Sequence, residues 1–226
     1  MEFNRNFPYG AGQNERAIEI PWALSKYHNE AKVLEVGCSF AYENPEYVPA
    51  LLGLNIPELH GLDISSRDAP DFIKKTADIR QSGYETGFFD LVLCISTLEH
   101  VGMDNTKYYL PVAELPREAG DAGQPGVDAV AEMFRILKAG GKLLVTVPFG
   151  RFVNYGWFLN YDAAAVANLF RHLPSAEIAA EYFKYTPAGW LPCTADELAT
   201  IAYRDNTAPA AAGIACFEII KPLASD

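Results

Sequence analysis

A short apolar strand that runs directly into a glycine turn is the feature that most constrains how this chain folds. Val33, Leu34 and Val36 are the apolar and β-branched residues typical of a strand covered on both faces. Gly37 follows at once, and glycine lets the backbone turn sharply and approach a ligand at the carboxyl edge of a parallel sheet. Glu35 precedes the glycine by two residues, and a carboxylate there suits a cationic or hydroxyl-rich ligand and opposes a pyrophosphate. The segment therefore predicts a nucleotide-cofactor site.

Size and charge limit the classes of protein that this chain can represent. With 226 residues, of which 50% are hydrophobic, we expect one domain spanning residues 1–226. A net charge of −11 repels phosphate backbones, so no nucleic acid is expected as a partner. No stretch approaches the roughly 18 apolar residues of a membrane span, and the first residues lack a secretory signal, which predicts a cytoplasmic protein. The four cysteines lack the spacing of a zinc site and are expected to be reduced.

Apolar runs of strand length alternate with helical patterns along the chain, which indicates βαβ units and a parallel sheet. The predicted strands are Lys32–Gly37, Leu59–Ile64, Thr76–Ile79, Phe89–Ser96 and Lys142–Pro148. Apolar residues at helical spacing predict a crossover helix over 127–137, ended by Gly140 and Gly141.

The last third of the chain predicts two helices and an antiparallel edge. One helix is predicted from Asp162 to Pro174, and a capping-box pattern that begins at Thr194 predicts a second, ending near Tyr203. The alternating segment 176–183 and the apolar run 213–220 predict two edge strands, antiparallel to each other.

Two segments fit no regular element. Residues 103–126 are polar and rich in proline and glycine, and they follow the fourth predicted strand. Residues 149–161 follow the fifth strand and carry the aromatic residues Phe152, Tyr155, Trp157 and Phe158. Loops of this length are usually functional. We expect both segments to be lid-like insertions that wall a substrate pocket at the ligand edge of the sheet.

Four stretches resemble, in their order and spacing, the class I S-adenosylmethionine-dependent methyltransferases. They are Leu34–Ser39, Gly61–Ile64, Phe89–Gly102 and Phe134–Pro148. The resemblance implies an α/β fold with a Rossmann-like, doubly wound, seven-stranded sheet, mostly parallel with an antiparallel edge. It also implies S-adenosyl-L-methionine as the cofactor and S-adenosyl-L-homocysteine as the product. The flanking segments resemble, more weakly, bacterial enzymes that methylate sugars or other small polar molecules in surface-glycan and natural-product pathways.

The resemblance implies that cofactor-binding residues lie at the strand ends. Glu35 is expected to contact the methionyl end of the cofactor, Asp63 to accept the ribose hydroxyls, and Asp78 to hold the adenine. The full predicted set is Glu35, Gly37, Cys38, Ser39, Asp63, Ile64, Asp78, Ile79, Ser96 and Thr97. For each acid the alternative is a structural role in a turn. Ser39 departs from the family pattern because a glycine usually stands there, and a serine narrows the room for the methionine moiety.

His100 and Glu99, just after the fourth strand, are the candidate catalytic residues. The unperturbed pKa of histidine, about 6.5, suits a general base, and His100 is expected to deprotonate or orient the acceptor. The alternative is a packed histidine that bonds a backbone carbonyl. The predicted substrate-binding residues are Tyr108, Tyr155, Trp157 and Asp162, of which Asp162 also fits a helix N-cap. No metal site is expected, because Ser96 stands where metal-dependent O-methyltransferases carry an acid.

The function implied is transfer of a methyl group to a small-molecule acceptor, most readily a hydroxyl of a sugar or natural-product intermediate. Methylation of a small amine is the alternative within the family. A non-catalytic S-adenosylmethionine-binding protein is a second alternative, motivated by Ser39. An NAD-dependent enzyme is disfavoured by Glu35 and by the missing Gly-x-Gly-x-x-Gly pattern. The sequence leaves the oligomeric state open, with a homodimer among the options.

Overall fold

The computed structural model describes Phe3 and residues 5–108, 124–173 and 175–223. The strands are β1 Lys32–Val36, β2 Glu58–Asp63, β3 Ile73–Thr76, β4 Phe89–Ile95, β5 Leu137–Pro148, β6 Val153–Asn154, β7 Leu159–Asn160, β8 Glu177–Thr186, β9 Gly189–Cys193 and β10 Gly213–Ile220. Eight of them form one sheet in the order β3-β2-β1-β4-β5-β10-β8-β9, and β6 and β7 form a small separate hairpin.

Helices cover both faces of this sheet. They are α1 Arg16–Ser25, α2 Cys38–Ala41, α3 Tyr47–Leu52, α4 Gln124–Ile136, α5 Ala163–Leu169 and α6 Ala195–Leu198. Side chains along each strand alternate between two apolar cores, so that Val92 and Cys94 pack with α4, whereas Leu91 and Leu93 pack with α1. This alternation follows from the period of two in a strand and explains why the strands are apolar on both faces.

Strand β1 lies at the point where the chain reverses its direction across the sheet. It pairs in parallel with β2 on one side and with β4 on the other. From β1 the chain therefore passes to β2 on one side of this strand, and it later crosses back to form β4 on the other side. Such a reversal opens a crevice at the carboxyl ends of the strands, where doubly wound sheets bind ligands. The predicted Rossmann-like, mostly parallel sheet is confirmed.

The predicted antiparallel edge is also confirmed, but it contains one strand more than expected. Strand β10 runs antiparallel to both β5 and β8, as the patterns of segments 176–183 and 213–220 predict. Beyond them, β9 folds back on β8 through a tight turn between Thr186 and Gly189, which gives eight strands instead of seven. Gly189 has a φ of +117°, and a Cβ there would lie 2.5 Å from the Tyr9 carbonyl oxygen. The sharp turn therefore requires glycine.

Two predicted boundaries are wrong for local reasons. The third strand covers Ile73–Thr76 rather than 76–79, because the Asp78 carboxylate accepts the Arg80 N–H and starts a 3₁₀ turn over Ile79–Gln81. The crossover helix ends at Ile136, and the chain enters β5 directly, so Gly140 and Gly141 lie within the strand segment instead of ending the helix.

The two later helices begin where predicted and are shorter. Asp162 caps α5 by accepting the Ala165 N–H at 2.8 Å, but α5 ends at Leu169. Thr194 and Glu197 form the predicted capping box of α6, which ends at Leu198. Among the helices in the described parts of the chain, none is long and apolar enough to cross a membrane.

Candidate active site

A cavity of about 370 Å³ opens at the carboxyl ends of β1, β2 and β4. Nine of the predicted residues line it together: Glu35, Gly37, Asp63, Ile64, Asp78, Ile79, Ser96, Thr97 and His100. They come from four separate parts of the sequence. Their convergence follows from the parallel strand order, which brings the ends of β1, β2 and β4 to the same edge.

Gly37 brings the β1 turn against the turn that follows β4. Its φ is +91°, in the left-handed region that favours glycine, and its N–H donates to the Leu62 carbonyl at 2.8 Å. A Cβ at this position would lie 2.4 Å from the Thr97 Oγ1. The two turns therefore approach so closely that no side chain fits between them.

Asp63 is buried at the end of β2 and fixes the neighbouring backbone. One carboxylate oxygen accepts the Ser39 N–H at 3.0 Å, and the other accepts the Ser65 N–H at 2.8 Å. A carboxylate offers about four acceptor positions, so each oxygen retains one for a ligand. The Asp63 side chain thus holds the turn in place and also lines the cavity.

Glu35 is the buried acid of the β1 turn. Tyr47 donates its hydroxyl proton to the Glu35 Oε2 at 2.7 Å, and both side chains line the cavity. Burial raises the pKa of Glu35 to about 8, while the Tyr47 hydrogen bond and the Arg16 charge act in the opposite direction. Desolvation of the charged form is therefore the dominant effect on this carboxyl group.

Asp78 and Ile79 lie beyond β3 at the far end of the cavity. The Asp78 carboxylate accepts the backbone N–H of Arg80 at 2.8 Å and also forms an ion pair with the Arg80 side chain. Ile79 is buried, with 4% of its surface exposed. The arrangement holds an acid and an apolar side chain next to each other on the wall.

Helix α1 forms a second wall that the sequence patterns do not predict. Ser96, at the end of β4, donates its hydroxyl proton to the Glu19 carboxylate, with O···O distances of 2.8 and 2.9 Å. The Glu19 Oε2 also accepts a hydrogen bond from Arg16 Nη1 at 2.7 Å. Arg16 and Glu15 line the cavity. The only signal in the sequence is the spacing of the three charged residues, which places them on one side of a helix.

Arg16 is surrounded by carboxyl groups. Burial lowers the pKa of Arg16, but the charges of Glu19, Glu15 and Glu99 more than reverse this, so the net shift is upward. The pKa of Glu15 is raised, first by burial and then by Glu19. The helix wall therefore carries a permanent cation that partly balances several acids.

His100 is held by segment 149–161. Its Nδ1 lies 2.8 Å from the Trp157 carbonyl oxygen. Because a carbonyl only accepts, Nδ1 carries the proton in the neutral ring and Nε2 carries the lone pair. Burial lowers the pKa of His100 to about 4, and the Arg16 charge acts in the same direction. The ring is therefore neutral at physiological pH. This is the alternative named in the sequence analysis, a packed histidine that bonds a backbone carbonyl.

Glu99 lies behind the cavity rather than on its wall. Its side chain is buried, and its Oε1 lies 4.0 Å from the His100 Nε2. Burial raises the pKa of Glu99 to about 8, and the nearby charge of Glu19 adds to the shift. Within the described residues its Oε2 has no hydrogen-bond partner.

Three of the predicted substrate-binding residues, Tyr155, Trp157 and Asp162, lie outside the cavity lining. Trp157 lies beside His100, with ring centroids 5.5 Å apart, and Tyr155 stacks on Phe158 at 4.6 Å. Asp162 serves as the N-cap of α5. The side chain of Tyr108 lies outside the described part of the structure. The aromatic residues of segment 149–161 therefore gather next to His100.

Cys38 and Ser39 follow Gly37 but are turned away from the cavity. Cys38 packs into the core against the Gly61 backbone. A Cβ added at Gly61 would lie 2.7 Å from the Cys38 sulfur. Ser39 is fully buried and contributes its backbone N–H to Asp63. The serine side chain thus does not occupy the space of the cavity. In the described ranges, no group of three or more His, Cys, Asp or Glu residues is arranged to hold a metal ion.

Comparison with known proteins identifies the fold. No protein-family model matches the sequence, and no curated protein is significantly similar to it. An S-adenosylmethionine-dependent methyltransferase from Methanosarcina mazei has a TM-score of 0.55 at 14% identity, covering 90% of this chain and 98% of its own. The YcgJ protein from Bacillus subtilis has a TM-score of 0.52 at 13% identity, covering 91% and 97%.

A third solved structure, an S-adenosylmethionine-dependent methyltransferase from Thermotoga maritima, has a TM-score of 0.51 at 14% identity, covering 88% of this chain and 87% of its own. The chain therefore has the fold of the class I S-adenosylmethionine-dependent methyltransferases. At these identities the likeness concerns the fold.

Proposed function

We propose that this protein is an S-adenosylmethionine-dependent methyltransferase that transfers the sulfonium methyl group to a small polar acceptor. The observation that carries the proposal is the cavity, in which Glu35, Asp63 and Asp78 end three successive strand units at one edge of the sheet. An acid at each of these places matches a ligand with a cationic end, a diol and an aromatic amine. S-adenosylmethionine has these three groups in that order.

In this proposal each strand end recognises one part of the cofactor. Glu35 and Gly37 face the methionyl portion, and Asp63 accepts hydrogen bonds from the ribose hydroxyls. Asp78 and Ile79 hold the adenine, through the carboxylate and an apolar contact. Ile64, Ser96 and Thr97 complete the wall, whereas Cys38 and Ser39 contribute through the backbone of the turn.

Methyl transfer is an in-line displacement, and the enzyme contributes mainly by aligning nucleophile, methyl carbon and sulfur. Such positioning lowers a barrier by up to roughly 7 to 11 kcal/mol. We propose that His100 orients the acceptor hydroxyl by accepting its hydrogen bond at Nε2, since Nδ1 is engaged with Trp157. Its lowered pKa makes it a weak proton acceptor, which favours orientation over general-base catalysis. Glu99 is the alternative base.

The acceptor is proposed to be a hydroxyl of a sugar or natural-product intermediate. Tyr155 and Trp157 offer aromatic faces beside His100 on which such a ring can stack. A small amine is the second candidate, because the cavity carries more acids than bases and attracts cations. Asp162, as the cap of α5, is the weakest of the proposed substrate contacts.

The organisation of the chain is part of the same proposal. We propose one methyltransferase domain over residues 1–226, with segments 103–126 and 149–161 as a two-part lid and a cytoplasmic location. Support for the lid comes from the Asp104 N–H, which donates to the Gly156 carbonyl and joins the two segments at 3.2 Å. Residues 109–123, and with them most of the first segment, lie outside the described residues.

Calorimetric titration tests the proposal directly. S-adenosylhomocysteine is expected to bind and to raise the melting temperature, as any ligand of the native state does. NAD is expected not to bind, because the acids that line the cavity together oppose a pyrophosphate. Binding of NAD without binding of S-adenosylhomocysteine would reject the proposal. Turnover against a panel of hydroxyl and amine acceptors then separates an enzyme from a non-catalytic binding protein.

A further inference from the structure

The first half of β8 is open along one edge. Strand β10 pairs with β8 along its whole length, but β9 pairs with it only from Tyr182 onwards. Within the described parts of the chain, no strand lies beside residues 177–181 on that side. Four of these five residues are exposed, and three of the four are apolar: Ile178, Ala179 and Ala180. An open strand edge with exposed apolar side chains readily pairs with another strand.

The backbone groups on this open edge belong to Ile178 and Ala180. On the β10 side, the Tyr185 N–H donates to the Ala212 carbonyl at 2.8 Å. Successive residues of a strand direct their N–H and C=O groups to opposite edges, so the odd-numbered residues of β8 bond towards β10. The even-numbered residues face the other edge. Two N–H donors and two C=O acceptors, from residues 178 and 180, therefore point away from the sheet.

A second copy of β8 satisfies all four of these groups at once. In an antiparallel pair with twofold symmetry, Ile178 opposite Ala180 of the partner forms two hydrogen bonds, and the symmetry repeats them. A shift in one direction reaches Ala176, whose N–H already donates to the Leu173 carbonyl. A shift in the other direction reaches Tyr182, which is paired with β9. The register that uses all four groups is therefore the one that fits within the open segment.

This register brings small side chains to the symmetry axis. Ala179 lies opposite Ala179 of the partner, in a pair without mutual hydrogen bonds, where facing side chains are closest. Alanine leaves room for this approach. On the other face of the strand, Ile178 lies opposite Ala180 of the partner, so an exposed apolar side chain gains an apolar neighbour.

The same register brings opposite charges together at its two ends. Glu177 lies opposite Glu181 of the partner, on the face of the sheet that α1 covers. Glu181 is surrounded by Trp22 Nε1 at 2.8 Å, Lys26 Nζ at 3.4 Å and Arg5 Nη1 at 3.7 Å. The Arg5 side chain is 69% exposed. It is therefore free to turn towards Glu177 of the partner, which offsets the repulsion between the two glutamates.

We propose that residues 177–181 of β8 form an interface with the same segment of a second copy of this chain. This inference is independent of the proposed function. The opposite edge strand, β3, is unsuited to self-pairing because it would place Lys74 and Lys75 against the same residues of the partner. A pair of five-residue strands is smaller than the roughly 1,200 to 2,000 Å² of a standard interface, so the dimer should dissociate on dilution.

Sedimentation velocity of the full chain over about 1 to 200 μM tests the interface. Wild-type protein is expected to shift from monomer to dimer as its concentration rises. Ala179→Glu is expected to raise the dissociation constant by about tenfold or more, because an acid at the axis faces its own copy. Ala188→Glu is the matched control. It adds the same charge in the exposed turn between β8 and β9, and the constant should stay within about twofold of wild type.

A disulfide tests the register. In the proposed pair the two Ala179 Cα atoms lie about 4.5 Å apart, within the range that a disulfide spans. With oxidised glutathione, Ala179→Cys is expected to give a covalent dimer in non-reducing electrophoresis. Wild-type protein, in which three of the four cysteines are buried, and the control Ala188→Cys are expected to remain monomeric in the same gel.

Each outcome supports or overturns the interface. Wild-type protein that stays monomeric at all concentrations overturns it, and so does a dimer that is as stable in Ala179→Glu as in wild type. Equal weakening by Ala188→Glu also overturns it, because the effect would then be one of general charge. If Ala179→Glu does not fold, the disulfide decides, since cross-linking of Ala188→Cys as readily as of Ala179→Cys rejects the register.

Discussion

The two walls of the cavity are built in different ways. The strand-end wall, formed by the turns after β1 and β2, is held by hydrogen bonds from backbone N–H groups, from Gly37 to the Leu62 carbonyl and from Ser39 to the Asp63 carboxylate. The helix wall is formed by α1 and the end of β4. It is held by the hydrogen bond between the side chains of Glu19 and Ser96, which are 77 residues apart in the sequence. Backbone geometry thus fixes one wall, and buried charge fixes the other.

This difference determines how each wall responds to substitution. On the strand-end wall the Gly37 turn lies so close to the turn after β4 that no new side chain fits between them, so changes of shape should have the greatest effect. On the helix wall the side chains are charged and buried, so changes of charge should have the greatest effect. Substitutions at matched positions therefore test the comparison.

Gly37→Val should cause the largest effect on the strand-end wall. A β-branched side chain at a φ of +91° is strained, and its Cβ would lie 2.4 Å from Thr97 Oγ1. We expect the affinity for S-adenosylhomocysteine to fall by roughly 100-fold or more. Gly12→Val is the control, since Gly12 has a φ of +75°, and among the described residues no atom beyond its chain neighbours lies within 4 Å of a Cβ placed there. Equal effects of the two changes would show that strain, and not the contact between the turns, is responsible.

His100 joins the two walls to the proposed acceptor site. His100→Ala should lower turnover by about 100-fold with nearly unchanged cofactor affinity. His100→Gln retains a hydrogen-bonding group and should remain within roughly tenfold of wild type, because the lowered pKa indicates an orienting role. His172→Gln, beyond the end of α5, is the control in steady-state kinetics. A Gln variant as impaired as the Ala variant would assign the base to His100.

Asp63→Ala should weaken cofactor binding by roughly 10- to 150-fold, the equivalent of about 1.5 to 3 kcal/mol for a charged hydrogen bond. Asp90→Ala is the matched control at the opposite end of the sheet. Asp90 likewise accepts a backbone N–H, that of Lys32 at 2.8 Å. We expect both variants to lose thermal stability, but only Asp63→Ala to lose affinity for S-adenosylhomocysteine. Unchanged affinity would place the ribose elsewhere.

The smallest effect concerns the dependence of stability on pH. The pKa of Glu35 is raised in the folded protein from 4.5 to about 8, so the folded state keeps a proton that the unfolded state releases. Its contribution to stability is therefore fully present below pH 4.5 and is lost as the pH rises towards 8. Glu35→Gln should flatten this decline and raise the melting temperature at pH 8 by a few degrees. The exposed Glu46→Gln variant should follow the wild-type profile.

The strand-end wall is largely predictable from the sequence. Gly37 follows a buried strand directly, and the acids Glu35 and Asp63 lie within two residues of a strand end, so a local pattern contains the information. The sequence pattern places the third strand three residues too late, because it does not reveal that Asp78 caps a 3₁₀ turn. A side-chain cap competed successfully with strand propensity there.

The helix wall is not predictable in the same way. Arg16 and Glu19 have the spacing of an ordinary exposed ion pair on a helix, and only the hydrogen bond between Glu19 and Ser96 ties this pair to the end of β4 beside the cavity. Tyr47 is likewise an unremarkable helix residue until the fold brings it to Glu35. These contacts depend on tertiary packing between segments, which local periodicity does not encode.

The contact between Glu19 and Ser96 has a consequence for the synthesis of the protein on the ribosome. Helix α1 is made before its partner at the end of β4, because Ser96 follows Glu19 by 77 residues. At about 5 to 20 residues per second, this delay lasts roughly 4 to 15 s. Trp22 of the same helix donates a hydrogen bond to Glu181, which is synthesised 159 residues later. The nascent helix therefore exposes its apolar side chains for seconds, during which a chaperone can bind it.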